Sequence, residues 1–451
     1  MNSRTRRFAA LVFITLLVIP ILLAAQDKKP AAPRYKMKDV GNLHGFNAWL
    51  FLGPPSFRVL NNLGMVVDAA DTGNGDPYYP PFTDGSVNHA VRWQNGVLTD
   101  LGALPPKRKN SSAPLSISQN GQFIVGVSET GTYDPVTGFP EYDAVLWQSG
   151  HAIKNLGTFG GNVSSAVSVN NLGQVVGGAT NATTDQYAAG LGPCWSVNCW
   201  PSATQWRAFM WQNGAMTDLG TLGTGNDAIA GLINASGQVA GISYTNTTAN
   251  QTTGVPTQDP FFWEQGNAMV DTGTLGGTLG YPTWLNNKGQ MVGQSNLAGD
   301  QKYHPFLWQK GKRRMKDLGT LGGDSGTANW INDAGEIVGG AWTTGNQAFH
   351  AVLWKNGKPQ DLGVLTGFKH SIAYSINSKH QIVGCVTNNL DNGCDRGFVW
   401  ENGSMFDLNK LTHRQFGLKL TMPLNINNSG EIATWGDLGN AFTHAILLIP
   451  Q

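Results

Sequence analysis

Short apolar runs alternate with polar turns along almost the whole chain, and one arrangement of them recurs. It is clearest in YHPFLWQKGKRRMKDLGTLGG at 303–323 followed by WINDAGEIVGG at 330–340. It returns in FHAVLWKNGKPQDLG at 349–363 followed by SINSKHQIVGC at 375–385. An Asp-Leu-Gly-like element begins at Asp39, Asp100, Asn155, Asp218, Asp271, Asp317, Asp361 and Asp407. A second element is anchored on Asn61, Ser118, Asn170, Asn234, Asn286, Asn332, Asn377 and Asn427. A third, an apolar strand, ends at Trp93, Trp147, Trp211, Trp263, Trp308, Trp354, Trp400 and finally Leu448, with spacings of 45 to 64 residues. That period is the range of propeller blades.

The turn chemistry divides each unit into four short strands. Asn-x-x-Gly, as at Asn332 to Gly335, separates the first two, and Asn356-Gly357 separates the last two. For this unit the pattern predicts an inner strand at 327–332, a second at 335–342, a third at 348–355 and an outer at 358–362, with Thr-Leu-Gly-Gly as the link between units. The chain opens on an outer-strand element, Tyr35 to Val40, and closes on inner, second and third strands at 421–427, 430–436 and 441–449. This phase matching predicts an all-β fold: an eight-bladed β-propeller of four-stranded antiparallel blades, its ring closed by the N-terminal strand. A seven-bladed propeller or an open β-solenoid are the alternatives, the solenoid requiring capping repeats.

His89-Ala90-Val91, Arg207-Ala208-Phe209, His350-Ala351-Val352, His444-Ala445-Ile446 and the recurrent Asp-Leu-Gly-Thr-Leu-Gly carry a resemblance over nearly all of 35–449. The chain resembles the HAF-repeat family of extracellular bacterial proteins, although no repeat spells His-Ala-Phe in full. The resemblance implies export and a repetitive β fold, and it transfers no catalytic constellation.

The N-terminus changes the picture of location. Arg4, Arg6 and Arg7 precede an apolar run from Phe8 to Leu23, and Ala24-Ala25 follows, so 1–25 reads as a signal peptide, 26–34 as a linker and 35–451 as a single domain. Loss of those arginines turns the formal charge from +1 to −2. The expectation is a secreted or periplasmic monomer with no stable membrane insertion and no nucleic-acid partner. A glycan or peptide ligand, no cofactor and no metal complete it.

Residues that occur once per unit serve the blade, since a catalytic group is needed once. His89, His304, His350 and His444 stand in register and are blade residues on this reading. No Gly-x-Ser-x-Gly, His-Glu-x-x-His, phosphate loop or calcium loop is present. Cys194 with Cys199 and Cys385 with Cys394 form two local disulfide candidates.

Function is sought where the repeats diverge. The predicted loops between second and third strands are long in the first four units, at 72–88, 130–141, 181–205 and 245–257. They are short in the last four, at 297–302, 343–347, 388–395 and 437–440. The long ones share one face and carry Tyr78, Tyr79, Phe82, Tyr133, Phe139, Tyr187, Trp195 and Trp200, with Asp76, Asp84, Asp134 and Glu141 in the first two. Ligand-binding residues are therefore expected at Trp195, Trp200, Tyr78, Tyr79 and Tyr133, and no catalytic residue is assigned. The leading expectation is a non-catalytic binding or interaction scaffold. The alternative is a glycan hydrolase or lyase using loop carboxylates, and a third reading is a purely structural surface protein.

Overall fold

Each unit folds into an antiparallel meander whose turns are those the sequence marks. In the unit that spans Gly322–Ile331, Ile337–Thr343, Phe349–Lys355 and Lys358–Asp361, the four strands pair in that order. Asn332 Oδ1 accepts the N–H groups of Ala334 and Glu336, each at 3.0 Å, which fixes the first turn. Asn356 and Gly357 have φ of 55° and 72°, the pair of positive values that the tight second hairpin demands. One boundary differs from expectation. The inner strand begins at Gly322, which pairs with Thr343, so the Gly-Gly of Thr-Leu-Gly-Gly forms its first rungs rather than a link. A Cβ at Gly323 would lie 2.6 Å from the Thr343 carbonyl oxygen, which is why glycine is used there.

The computed structural model describes residues 32–43, 48–49, 57–78, 85–107, 109–191, 202–412, 417–438 and 443–451. All of them belong to one compact unit, Ala32–Gln451. Among the described residues the chain is all-β, in six four-stranded antiparallel sheets plus an eight-stranded one. The larger sheet joins two consecutive meanders through a single parallel contact, Gln258 to Leu279. Tyr35–Asp39 pairs antiparallel with Thr443–Pro450, from Tyr35 opposite Pro450 to Asp39 opposite Ile446. The N–H of Gln451 donates to the Arg34 carbonyl at 2.9 Å.

Three sets of repeated contacts tie one meander to the next or hold it together. First, the anchoring asparagines form a belt: Asn234 Nδ2 donates to the Asn286 carbonyl, Asn286 to Asn332, Asn332 to Asn377, Asn377 to Asn427, and Asn427 to Asn61, at 2.9 to 3.3 Å. Second, Trp147 Nε1 donates to the Gly102 carbonyl and Trp354 Nε1 to that of Gly319, each 3.2 Å and each reaching the preceding unit. Third, the Asp of Asp-Leu-Gly turns back on its own unit. Asp361 Oδ1 accepts the Gly363 N–H at 2.7 Å, and its other oxygen meets His350 Nδ1 at 2.9 Å. The same pairing joins His89 to Asp100, Arg207 to Asp218, His304 to Asp317, Arg396 to Asp407 and His444 to Asp39.

The long loops are shorter than the sequence suggests, because the strands continue into them. Val66–Gly75 and Ser86–Gln94 pair out to Gly75 opposite Ser86, and Phe123–Tyr133 and Pro140–Gln148 pair out to Tyr133 opposite Pro140. Each ladder passes a register shift, between Asp71 and Gly75 or between Glu129 and Tyr133, and bulges of this kind bend a hairpin without ending it. The loop after Tyr244 holds no strand before Gln258. Among the described residues no helix is long and apolar enough to cross a membrane.

Candidate functional site

The two extended hairpins of the first units lean on each other at their tips. Tyr78 Oη donates to the Gly131 carbonyl at 2.9 Å, Tyr133 Oη reaches the Pro77 carbonyl at 3.4 Å, and the two rings lie 5.4 Å apart at 60°. Tyr133 is 49% exposed and Phe139 38%, so part of this aromatic surface faces solvent. Tyr78 and Tyr133, expected as ligand-binding residues, are thus brought together. Tyr79, Trp195 and Trp200, with Cys194 and Cys199, lie outside the described residues. Cys385 and Cys394 are bonded, their Cα atoms 5.7 Å apart.

Beneath the tyrosines sit two carboxyl groups held by one serine. The Ser111 N–H donates to Glu129 Oε2 at 2.6 Å, and its hydroxyl donates to Asp76 Oδ2 at 3.4 Å. Asp76 Oδ1 accepts the Tyr78 N–H at 2.8 Å, which ties the acid to the loop bearing the ring. Glu129 is 4% exposed, and burial pushes its carboxyl up to about 8. The Ser111 N–H opposes that rise and the Asp76 charge adds to it. Glu129 is therefore protonated at neutral pH, a carboxylic acid beside a second carboxyl. The Tyr78 phenol is raised as well, by burial and then by Glu129, Tyr133 and Asp76.

The other loop acids do different work. Asp134 Oδ1 accepts the Val136 and Thr137 N–H groups at 2.7 and 3.3 Å and shapes its own turn. Glu141 accepts from the Thr132 hydroxyl. Sequence reasoning missed Glu129 because the loop was drawn from residue 130. The available signal was register: Glu129 occupies the second-strand position that holds Thr180, Tyr244, Trp342 and Thr387 in other units.

A second carboxyl pair lies over the next two units. Asp227 is fully buried and accepts the Trp206 N–H at 2.7 Å. Burial lifts it to about 7, against that N–H and with help from Asp185. Asp185, Tyr187 and Ser202 line a cavity of about 740 Å³. Asp227 is not among the residues that line that cavity. Among the described residues no group of His, Cys, Asp and Glu is arranged to hold a metal ion.

No protein-family model and no curated protein matches the chain. Several solved structures are similar. The β-propeller domain of the Trilobed protease from Pyrococcus furiosus is 8% identical with a TM-score of 0.42, covering 83% of this chain and 98% of its own. Acylaminoacyl peptidase from Pyrococcus horikoshii is 10% identical, TM-score 0.41, covering 86% of this chain and 58% of its own. A puromycin-hydrolyzing peptidase from Mycobacterium tuberculosis is 10% identical, TM-score 0.43, covering 90% and 61%. The chain spans about three fifths of the length of the latter two.

The architecture of stacked four-stranded meanders is thus of the β-propeller kind. The expectation of a non-catalytic scaffold is corrected at this point by the two carboxyl groups, Glu129 and Asp76, that meet at Ser111. At these identities and scores the neighbours say nothing of this chain's activity.

Proposed function

We propose that the chain is a hydrolase whose acid–base pair is Glu129 and Asp76, acting on an uncharged, hydroxyl-rich substrate such as a neutral glycan. The observation that supports this reading is the single serine holding both carboxyl groups, with Glu129 protonated near neutral pH. Hydrolysis of a glycosidic bond needs one carboxylic acid to protonate the leaving oxygen and one carboxylate to activate water or attack. Glu129 takes the first role and Asp76 the second. Tyr78 and Tyr133 offer ring faces against which an uncharged sugar packs.

The remaining parts of the reading follow the repeat. The meanders form eight blades, and the Tyr35–Asp39 pairing with the last unit closes them into a ring. The chain is exported by its N-terminal segment and falls in the HAF-repeat class, and the Cys385–Cys394 bond suits an oxidising compartment. A panel of aryl glycosides assayed beside peptide anilides tests the activity. Turnover of at least one neutral glycoside, lost in both Glu129→Gln and Asp76→Asn while folding is kept, is the expected result. Turnover of peptides alone, or activity indifferent to both substitutions, overturns it.

A further inference from the structure

The inner strands converge on a cavity of about 220 Å³ at the end of the molecule that carries the Asn-x-x-Gly turns, opposite the long loops. Its apolar walls include Leu60, Ile233, Ile376 and Ile426, and Trp284 and Trp330 stack in it with ring centroids 3.3 Å apart. Into this space the first unit sends Arg58, whose guanidinium lies 5.3 Å from the Trp284 ring. The inner-strand positions three before the anchoring residue hold Arg58 here and Leu115, Val167, Gly231, Thr283, Asn329, Tyr374 and Leu424 in the units that follow. The arginine is thus the one charged residue at that position of the repeat. Among the described residues its side chain has no hydrogen bond and no ion pair. Burial lowers it to about 10, with Asp333 acting in the opposite direction, so it stays charged at neutral pH.

The mouth of the cavity adds a second, independent observation. Backbone N–H groups take up the side-chain oxygens around it: Asn62 N–H donates to Gln119 Oε1 at 2.9 Å, Asn120 to Asn171 Oδ1 at 2.9 Å, Ser378 to Asn428 Oδ1 at 3.1 Å, and Asn428 to Asn62 Oδ1 at 3.0 Å. A backbone N–H can only donate, so each amide must turn its oxygen toward it and its NH₂ away. The NH₂ groups of Asn62, Gln119, Asn171 and Asn428 are left with no acceptor among the described residues. One acid lines the site, Asp333, and both of its oxygens already accept from Asn287, at 2.9 and 2.8 Å. A guanidinium over an apolar floor, ringed by amide donors, faces a single acid whose two oxygens each already accept one bond.

We infer that this cavity is a binding site for a small organic carboxylate, its oxygens on Arg58 and the free amides of the turns and its apolar body against Trp284 and Trp330. Arginine with amide donors is the pairing that recognises a carboxylate by a planar fork. The Trp pair supplies the contact for a ring or short alkyl group.

The mature chain titrated with benzoate tests this, read by tryptophan fluorescence and calorimetry, with benzamide and benzylamine as neutral and cationic probes. Saturable benzoate binding at millimolar concentration or below is expected, with the other two at least about tenfold weaker. Arg58→Gln should weaken benzoate at least about tenfold and Arg58→Lys less. If Arg58→Gln does not fold, Asn171→Asp, which places a carboxylate at the mouth and leaves Arg58 intact, should give a comparable loss. Equal binding of benzamide, unchanged benzoate affinity in the folded variant, or no saturable signal overturns the assignment. Since the site lies on the face away from Glu129, the outcome is independent of the hydrolytic reading.

Discussion

The two halves of the chain hold their carboxyl groups at different positions of the unit and give them opposite partners. Between residues 66 and 271, burial raises Asp68, Glu129, Asp143, Asp227 and Asp259 above the ordinary carboxyl range. Between 302 and 407, Asp324, Glu336 and Asp361 fall below it. The register shared by all units makes the cause visible. Where the third strand opens on His350, burial raises Asp361 but the His350 ring and the Gly363 N–H lower it by more. Where it opens on Asp259, the outer-strand partner is Asp271, and burial with that second acid lifts Asp259 to about 7. The exceptions obey the same rule: Asp100 faces His89, Glu264 faces Lys310, and both are lowered. Burial raises these carboxyls in both halves, and a cationic or N–H partner decides where that rise is overcome.

Glu129→Gln should make the largest difference, since removing a general acid costs about 10²–10⁴ in rate. The wild-type rate should also fall as pH rises through about 8, where Glu129 loses its proton. Thermal melts should show the opposite benefit. A carboxyl raised in the folded state contributes most below its ordinary 4.5 and loses that contribution as pH climbs to about 8, so the variant should be more stable than wild type at pH 9. A variant less stable there would break the contrast between the halves.

Glu336→Gln should behave in reverse. Burial raises this carboxyl, but bonds from Lys355, Asn332 and His380 outweigh it, so its stabilising effect is present at neutral pH and fades in acid. Loss of about 2 kcal/mol at pH 7 in denaturant melts, shrinking toward pH 3, is expected.

Asp259→Asn should flatten the pH dependence of stability between about 4 and about 7, because the raised Asp259 loses its contribution across that window. A pH profile unchanged by the substitution would show that Asp259 is not raised in the folded protein. Smallest of all, His350→Ala should cost about 0.5 kcal/mol near pH 6, as expected of a partly exposed pair.

The unit and its turns were legible in the sequence because each depends on residues adjacent in the chain: Asn356-Gly357 can only make one kind of hairpin, and Asn332 caps its own turn. The pairing of Tyr35–Asp39 with the last unit was legible from phase alone. The candidate site was half legible. Tyr78 and Tyr133 stood out as aromatics in insertions, whereas Glu129 and Asp76 meet only through Ser111, a residue more than thirty positions from one of them. Arg58 could have been found as the one charge in an otherwise uncharged column of the repeat, but its place over Trp284 depends on a residue drawn from another unit.

The asparagine belt has a direction: each side chain hands its proton to the carbonyl of the unit that follows, and Asn427 hands on to Asn61 as any other member would. The run passes from Asn61 to the Ser118 carbonyl and ends there, the Ser118 hydroxyl bonding Asn120 in its own turn. With Gln451 bonded to Arg34, joining those two residues and opening the backbone at the exposed Asn356-Gly357 turn would renumber the chain while leaving the belt's order intact. Where translation starts is thereby uncoupled from how the molecule is held together.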